Sequence, residues 1–302
     1  MQANSLRYNQ PMENDQVNSN GNNSQTPPLT TSRKKRHSNW PLIILAGLFI
    51  IVPFLTWYST WFGRNLSDDD IAKYLADEKN PRHIQHALTQ LETRIEQTDP
   101  AARKFYPQIV ALTVSDHVEI RKTAAWVMGQ DNTADEFHGA LLKLLADNEP
   151  LVRRNAALQL VRFGDASGRP ELRAMLQPYE VKSPIQGTIV SLLGAGSKLR
   201  AGALLARIRD ASSVVQEFRS PLDGQIATLR VKEGDSTSAG QAICSLTPDQ
   251  ATVRDSVRAL AYIGTTEDLP LLTSIAEGTD SAEIQEDAKV AFREIKNRAA
   301  KN

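Results

Sequence analysis

The sequence predicts a multidomain, membrane-anchored protein in which an all-α solenoid is interrupted by a small all-β domain. Three observations lead to this prediction. Residues 40–62 contain no charged side chain. A helical pattern of apolar residues recurs at intervals of 31 to 36 residues on both sides of one long gap. Inside that gap, a glycine-containing stretch of β-type sequence occurs twice.

The N-terminal segment, residues 1–39, is rich in Asn, Gln, Ser and Pro and shows almost no aliphatic pattern. Such a composition buries too little apolar surface to offset the entropy lost on ordering. We therefore expect this segment to be disordered.

Residues 40–62 are predicted to form a transmembrane helix that contacts membrane lipid. A helix of this length reaches about 34 Å at roughly 1.5 Å per residue, which spans a bilayer. Trp40 at one end and Trp57 and Trp61 at the other lie where interfacial aromatic belts lie. A cleaved signal peptide is the alternative, but the segment is long for one and lacks an A-x-A-like cleavage site.

The flanks of this segment predict its orientation. The basic stretch "SRKKRH" precedes it, whereas "GRNLSDDD" follows it with one Arg and three Asp. Positive residues favour the cytoplasmic side. The sequence thus predicts a single-pass inner (plasma) membrane protein with a cytoplasmic N-terminus. Everything from Gly63 onward would be extracytoplasmic, which is the periplasm in a Gram-negative cell.

The charge balance argues against a nucleic-acid partner. Residues 1–39 hold five of the 35 Lys+Arg and two of the 35 Asp+Glu, which leaves 30 basic and 33 acidic residues beyond them. A slightly acidic surface does not attract phosphates. The single cysteine, Cys244, is interpreted as a small buried hydrophobe.

A helical repeat covers both flanks of the gap. An aliphatic residue opens an i, i+4, i+7, i+8 apolar face five times, at Ile84, Ile120, Val152, Val253 and Ile284. Acidic residues precede most of these positions and Arg follows three of them, as in Asp116 and Arg121. The stretches "VRRNAALQLVRFG" and "TVRDSVRALAYIG" resemble HEAT repeats. The resemblance predicts HEAT-like domains over residues 63–178 and 249–302.

The long gap in the repeat indicates an inserted domain. Val152 and Val253 are 101 residues apart, and removing residues 179–248, which number 70, leaves 31. The repeat is in register once this block is removed, so residues 179–248 are predicted to be a separate domain placed in one inter-repeat loop.

The inserted block contains two similar halves. "SPIQGTIVSLLGAGSKLRAGALLARI" begins at Ser183 and "SPLDGQIATLRVKEGDSTSAGQAICSL" begins at Ser220. Short β-type stretches separated by glycine turns suggest two interlocked hairpin sheets. The paired S-P-x-x-G elements resemble the biotinyl/lipoyl barrel-sandwich hybrid, and this resemblance implies the same fold here.

The resemblance raises the question of a cofactor. In carrier domains of this family the modified lysine lies at the tip of the hairpin that joins the halves, here residues 209–219. Counting back from Gly224 places Ser213 at the lysine position. A hydroxyl cannot form the amide that holds biotin or lipoate, so we expect no cofactor.

A second family shares the barrel without a cofactor. Periplasmic adaptor (membrane fusion) subunits of efflux and secretion systems combine an N-terminal anchor with a split barrel-sandwich hybrid. This chain is similar to them in its anchor, its orientation and its paired S-P-x-x-G elements. It lacks their long coiled-coil hairpin, because only about a dozen residues join its halves.

Catalytic and metal sites are not predicted. His83 and His86 form an H-x-x-H, but no third ligand is evident for a metal. The stretch "GAGSKLRAG" contains Lys198 but does not match a phosphate-binding loop. No nucleophile motif is present, so we do not expect an enzyme.

The predicted function is that of a membrane-anchored scaffold or adaptor that binds another protein through its solenoid and its unmodified β domain. Solenoids offer long binding surfaces. A periplasmic efflux or secretion adaptor is the first alternative. A biotin or lipoyl carrier is the second, and the absence of a lysine at residue 213 argues against it.

Overall fold

The computed structural model describes residues 40–61 and 65–301, and within the first range the side chains of Trp40 and of residues 42–56. Residues 40–61 belong to one compact unit and residues from Asn65 onward to another. The helices, in chain order, are α1 (Trp40–Trp61), α2 (Asp68–Leu75), α3 (Pro81–Glu96), α4 (Tyr106–Ala111), α5 (Val118–Met128), α6 (Asp135–Leu144), α7 (Pro150–Arg162), α8 (Arg169–Met175), α9 (Gln250–Ile263), α10 (Leu269–Ala276) and α11 (Ala282–Ala299).

The strands all lie between α8 and α9. They are β1 (Tyr179–Lys182), β2 (Gly187–Leu192), β3 (Lys198–Leu199), β4 (Leu204–Arg209), β5 (Val215–Arg219), β6 (Gly224–Leu229), β7 (Ser236–Thr237) and β8 (Ala242–Thr247). They form two antiparallel four-stranded sheets, with strand orders β1-β8-β6-β3 and β5-β4-β2-β7.

The prediction of a transmembrane helix over residues 40–62 is wrong. Across the two described ranges, no helix has both the length and the apolar character that a bilayer crossing requires. The predicted lipid contact and the single-pass membrane location are wrong for the same reason. The prediction of disorder for residues 1–39 lies outside the described residues.

The helical repeat predicted from the sequence is present. Each of the five aliphatic residues that open an apolar face is buried, with 7% exposure or less: Ile84, Ile120, Val152, Val253 and Ile284. They lie on α3, α5, α7, α9 and α11, which we call the first helices, and each first helix packs against the next. Helices α4, α6, α8 and α10 alternate with them as the second helices of the array.

The helical array continues across the point at which the strands are inserted. Ala157 of α7 and Leu172 of α8 share one buried cluster with Ala259 and Leu260 of α9. An ion-pair network joins the same two parts. The fully buried Asp268 accepts hydrogen bonds from Arg169 at 2.9 Å and from Arg173 at 2.8 Å. The packing of α8 on α9 is therefore that of neighbouring repeats.

Residues 179–247 form a β domain with its own core. Its buried cluster includes Ile189, Ile208, Ile226 and Ile243. The first and last strands pair with each other, so that Tyr179 lies opposite Leu246. Each sheet contains one short strand from the other half of the domain. Strand β3 of the first half pairs with β6 of the second half, and β7 of the second half pairs with β2 of the first half. The two halves are consequently interlocked.

The repeated S-P-x-x-G element has the same structural role in both halves. Ser183 and Ser220 are each 2% exposed, and each hydroxyl donates to a carbonyl two residues later, at 2.7 Å. Gly187 and Gly224 lie so close to another strand that a Cβ would approach a carbonyl oxygen, that of Arg209 at 2.4 Å and that of Thr247 at 2.5 Å. The motif thus holds the start of each half close to the backbone of a neighbouring strand.

Candidate protein-binding surfaces

An ion pair between Arg121 and Asp147 joins neighbouring repeats of the array. Arg121 on α5 binds Asp147 with two hydrogen bonds of 2.7 and 3.0 Å, and donates a third to the carbonyl of Ser115 at 2.8 Å. Burial alone raises the pKa of the Asp147 carboxyl. The hydrogen bonds from Arg121 and from the backbone N–H of Glu149 outweigh that effect and hold the pKa below its usual value.

Two large aromatic side chains are exposed on the first helices. Trp126 of α5 is 43% exposed, and its indole Nε1 donates to Oε1 of Glu92 on α3 at 2.5 Å. Tyr262 of α9 is 75% exposed. Trp and Tyr combine a large apolar surface with a polar group and are the residue types most enriched at binding hot spots.

Helix α7 lies between these two aromatic residues. Its Leu158 and Val161 are half-buried and pack against the cluster that includes Ala157. Neighbouring packed helices lie about 8–10 Å apart, so the axes of α5 and α9, with α7 between them, are roughly 20 Å apart. We call these four residues, Trp126, Leu158, Val161 and Tyr262, the aromatic strip.

Neither Trp126 nor Tyr262 was predicted from the sequence to lie on a binding surface. The signal was present, because both residues lie in the helical register of the repeat but outside the apolar positions that face the core. Trp126 follows Ile120 by six residues and Tyr262 follows Val253 by nine. An aromatic residue at such a position is expected to face solvent.

The tip of the β4–β5 hairpin is the second exposed surface. Residues 210–214 form the turn, and Asp210 organises it by accepting hydrogen bonds from the backbone N–H groups of Ser212 at 2.9 Å and Val214 at 3.1 Å. Val214 and Val215 are 55% and 42% exposed. The tip therefore presents a small apolar surface on a fixed turn.

Ser213, the residue at the predicted carrier position, lies in this turn. Its φ of +65° is in the left-handed region, which non-glycine residues seldom adopt. The lysines of the β domain lie elsewhere: Lys182 ends β1, Lys198 begins β3, and Lys232 lies between β6 and β7. The turn itself carries no amine to which biotin or lipoate could be attached.

The two histidines considered as metal ligands have other contacts. His83 lies 2.7 Å from Asp77 through Nδ1 and stacks on Tyr74 with a centroid distance of 4.3 Å. His86 Nε2 lies 3.0 Å from the side-chain nitrogen of Gln90. Within residues 40–61 and 65–301, no group of three or more His, Cys, Asp or Glu side chains is placed to hold a metal ion.

Cys244, the single cysteine, lies on β8 and is fully buried. Burial raises the pKa of its thiol to about 11, and the negative charge of Glu180 adds to the effect. The thiol is consequently protonated at neutral pH.

The stacked helix pairs define this chain as a helical-repeat protein of the α-solenoid class. In agreement, a family model described as HEAT repeats matches residues 106–187. The region is therefore HEAT-like, as the sequence resemblance predicted. No curated protein matches the chain.

Two solved structures are similar to parts of the chain. A single-chain, multi-domain long-chain acyl-CoA carboxylase is 17% identical over 41% of this chain, with a TM-score of 0.23, and the match spans 14% of the carboxylase. An engineered protein is 16% identical over 75% of this chain and 78% of that chain, with a TM-score of 0.41. Neither likeness is close enough to extend to function.

Proposed function

We propose that the protein is a scaffold that binds a protein partner through the aromatic strip on its first helices. HEAT repeats generally mediate protein interactions, and the HEAT-like region includes Trp126 and Leu158. The observation that carries the proposal is the exposure of Trp126 and Tyr262 on either side of the half-buried apolar residues of α7. Exposed apolar patches of this kind are typical of protein-binding surfaces.

The β domain supplies a second contact in this proposal. We infer that it is a biotinyl/lipoyl-like barrel-sandwich hybrid without its cofactor. The interlocked halves and the equivalent roles of Ser183 and Ser220 support this inference. The exposed valines at the hairpin tip would contact the partner directly, where a carrier domain would hold its modified lysine.

The scaffold proposal includes the absence of enzymatic activity. The buried polar network at Asp268 has a structural use, because both of its arginine partners join two repeats. The Asp147 carboxyl is likewise held by Arg121 within the array. These two carboxylates are committed to packing, and neither is free to act as a general acid or base.

The binding surface can be tested by crosslinking of the full chain in its native host, followed by mass spectrometry and affinity measurement with the partner so identified. Trp126→Ala and Tyr262→Ala should each weaken binding at least tenfold. Val114→Ala is the control, because Val114 is 84% exposed and lies in the short 3-10 helix Leu112–Val114, outside the four residues of the aromatic strip. Unchanged affinity in both aromatic variants would refute the proposed surface.

The unmodified state of the β domain has a separate test. Intact-mass spectrometry of the protein from its native host should show no biotinyl or lipoyl increment. A lysine carrying either group would make the domain a carrier.

A further inference from the structure

Arg154 of α7 is an unusual residue in the helical array. It is 6% exposed, and its Nε has no hydrogen-bond partner. The nearest carboxylate oxygen, Oε1 of Glu171, lies 3.7 Å from Nε, whereas the other oxygen of Glu171 binds the neighbouring Arg153 at 3.1 Å. Arg154 is thus a buried cation with incomplete pairing.

Such a group opposes folding unless another contact retains it. Burial lowers the pKa of Arg154, and the charge of Glu171 only partly offsets this effect. Replacing buried, imperfectly paired ions by apolar residues is often neutral or stabilising in proteins. The stability of the helices therefore does not explain why an arginine occupies this position.

The remaining contact of Arg154 is with the β domain. Its guanidinium carbon lies 5.8 Å from the ring centroid of Tyr179. This distance is typical of a cation–π interaction, which is strengthened where water is excluded. Tyr179 is the first residue of β1, so the contact joins α7 to the base of the inserted domain.

Few other interactions restrain the β domain relative to the helices. Every hydrogen bond and ion pair described for residues 179–247 is internal to the domain. Its buried cluster contains no helix residue. The connections are short, residues 176–178 and 248–249, and each contains a proline, Pro178 or Pro248.

An open space separates the two parts beside these connections. A cavity of about 750 Å³ lies between Lys198 and Gln225 of the β domain and Asp249 and Gln250 at the start of α9. This space leaves room for the domain to tilt toward α9. Because β1 and β8 pair at the base, such a tilt would move the domain as one body.

We propose that the contact between Arg154 and Tyr179 is a latch that fixes the orientation of the β domain on the solenoid, and that the domain turns about its two proline connections when the latch opens. The latch sets the angle between the aromatic strip and the hairpin tip. It does not require that either surface binds a partner.

The latch can be tested by electron-spin distance measurements on the full chain. Ser212→Cys at the hairpin tip and Ser274→Cys on α10 provide two exposed labelling positions. Cys244 remains in place because its burial protects it from the label. The otherwise unaltered chain should give one narrow distance distribution. Arg154→Met and Tyr179→Leu should each broaden it at least twofold.

Two control variants separate the latch from general damage. Tyr179→Phe keeps the aromatic ring, and Arg153→Met removes a neighbouring charge that does not contact Tyr179; both should retain the narrow distribution. Helical melting by circular dichroism should show Arg154→Met to be as stable as the parent or more so. Tyr179 lies outside the helical core, so Tyr179→Leu still reports on the latch where Arg154→Met fails to fold. The proposal is overturned if Tyr179→Leu leaves the distribution narrow, or if the parent protein is already as broad as the variants.

Discussion

The hydroxyl of Ser256 on α9 donates a hydrogen bond of 2.6 Å to the carbonyl oxygen of Leu172 on α8. Both residues are fully buried, and 84 positions of sequence separate them. Residues 179–247, the β domain, make up most of that separation. The bond therefore closes the helical array over the insertion and gives a direct way to test its continuity.

Ser256→Ala should lower the free energy of unfolding of the helices by about 1–2 kcal/mol, because it leaves a buried carbonyl without this donor. Urea denaturation followed by circular dichroism measures the change. Ser274→Ala, an exposed serine on α10, is the control and should remain within about 0.5 kcal/mol of the parent. Equal effects in the two variants would argue against a continuous array.

Replacement of residues 179–248 by a short Gly/Ser linker should leave the helices folded and cooperative. Pro178 and Asp249 are kept, because Asp249 caps α9 by accepting from the backbone N–H of Thr252 at 2.9 Å. Loop-closure entropy depends only weakly on length, so the change in stability should be about 1 kcal/mol or less. Extending the deletion to residues 172–248 removes Leu172 and should abolish cooperative melting. Loss of the helical signal in the shorter deletion would show that the two parts share one core.

Gly187→Ala should destabilise the β domain by about 2–4 kcal/mol, because its Cβ would meet backbone that cannot move independently. Gly194 provides a matched control in the same domain, since a Cβ there meets no atom within 4 Å. Thermal melts that monitor strand and helix signals should show earlier loss of strands in Gly187→Ala only. Similar melting of both variants would contradict the close approach.

Cys244 should react very slowly with a thiol reagent at pH 8 in the folded protein. With a pKa of about 11, roughly one thiol in a thousand is ionised at that pH, and the side chain is buried as well. Reaction should become fast in urea. Stoichiometric labelling of the native protein within minutes would show that β8 opens readily.

The ion pair between Arg121 and Asp147 should make the free energy of unfolding depend on pH in the acid range. The folded pKa of Asp147 lies below its unfolded value of about 3.9, so its contribution is complete above that pH and is lost as the pH falls through the folded pKa. Asp147→Asn should be less stable than the parent protein at pH 7. As the pH falls below about 5, it should lose less stability than the parent does. An unchanged slope in Asp147→Asn would exclude this carboxylate as the cause.

The repeat positions were predictable because a helix must bury the same face in every repeat. Ile120, Val152 and Val253 open that face in the sequence and are buried in the structure. The partner of Arg121 was not predictable in the same way. Asp116 is nearer in sequence, but the structure pairs Arg121 with Asp147 from the next repeat. Pairing across repeats depends on how the helices stack, which local patterns do not specify.

Local sequence patterns also failed for residues 40–62 and for Arg154. Charge and hydropathy predicted that residues 40–62 cross a membrane, and the structure does not support a crossing. Conversely, Arg154 gave no signal, because an Arg after Arg153 is ordinary on a helix surface. Arg154 is buried and lies against Tyr179 of the β domain, a contact between two segments that the sequence does not bring together.

The pairing of β1 with β8 also determines how the chain would respond to a pulling force. Tension along the array is first carried by the contact between α8 and α9. Once that contact separates, the force enters the β domain at one shared end, where Tyr179 lies opposite Leu246. Pulled from that end, the two strands peel apart one hydrogen bond at a time, which needs far less force than shearing them lengthwise. The insertion would then release about 230 Å of extra chain, at roughly 3.3 Å for each residue, before the outer helices are stretched further.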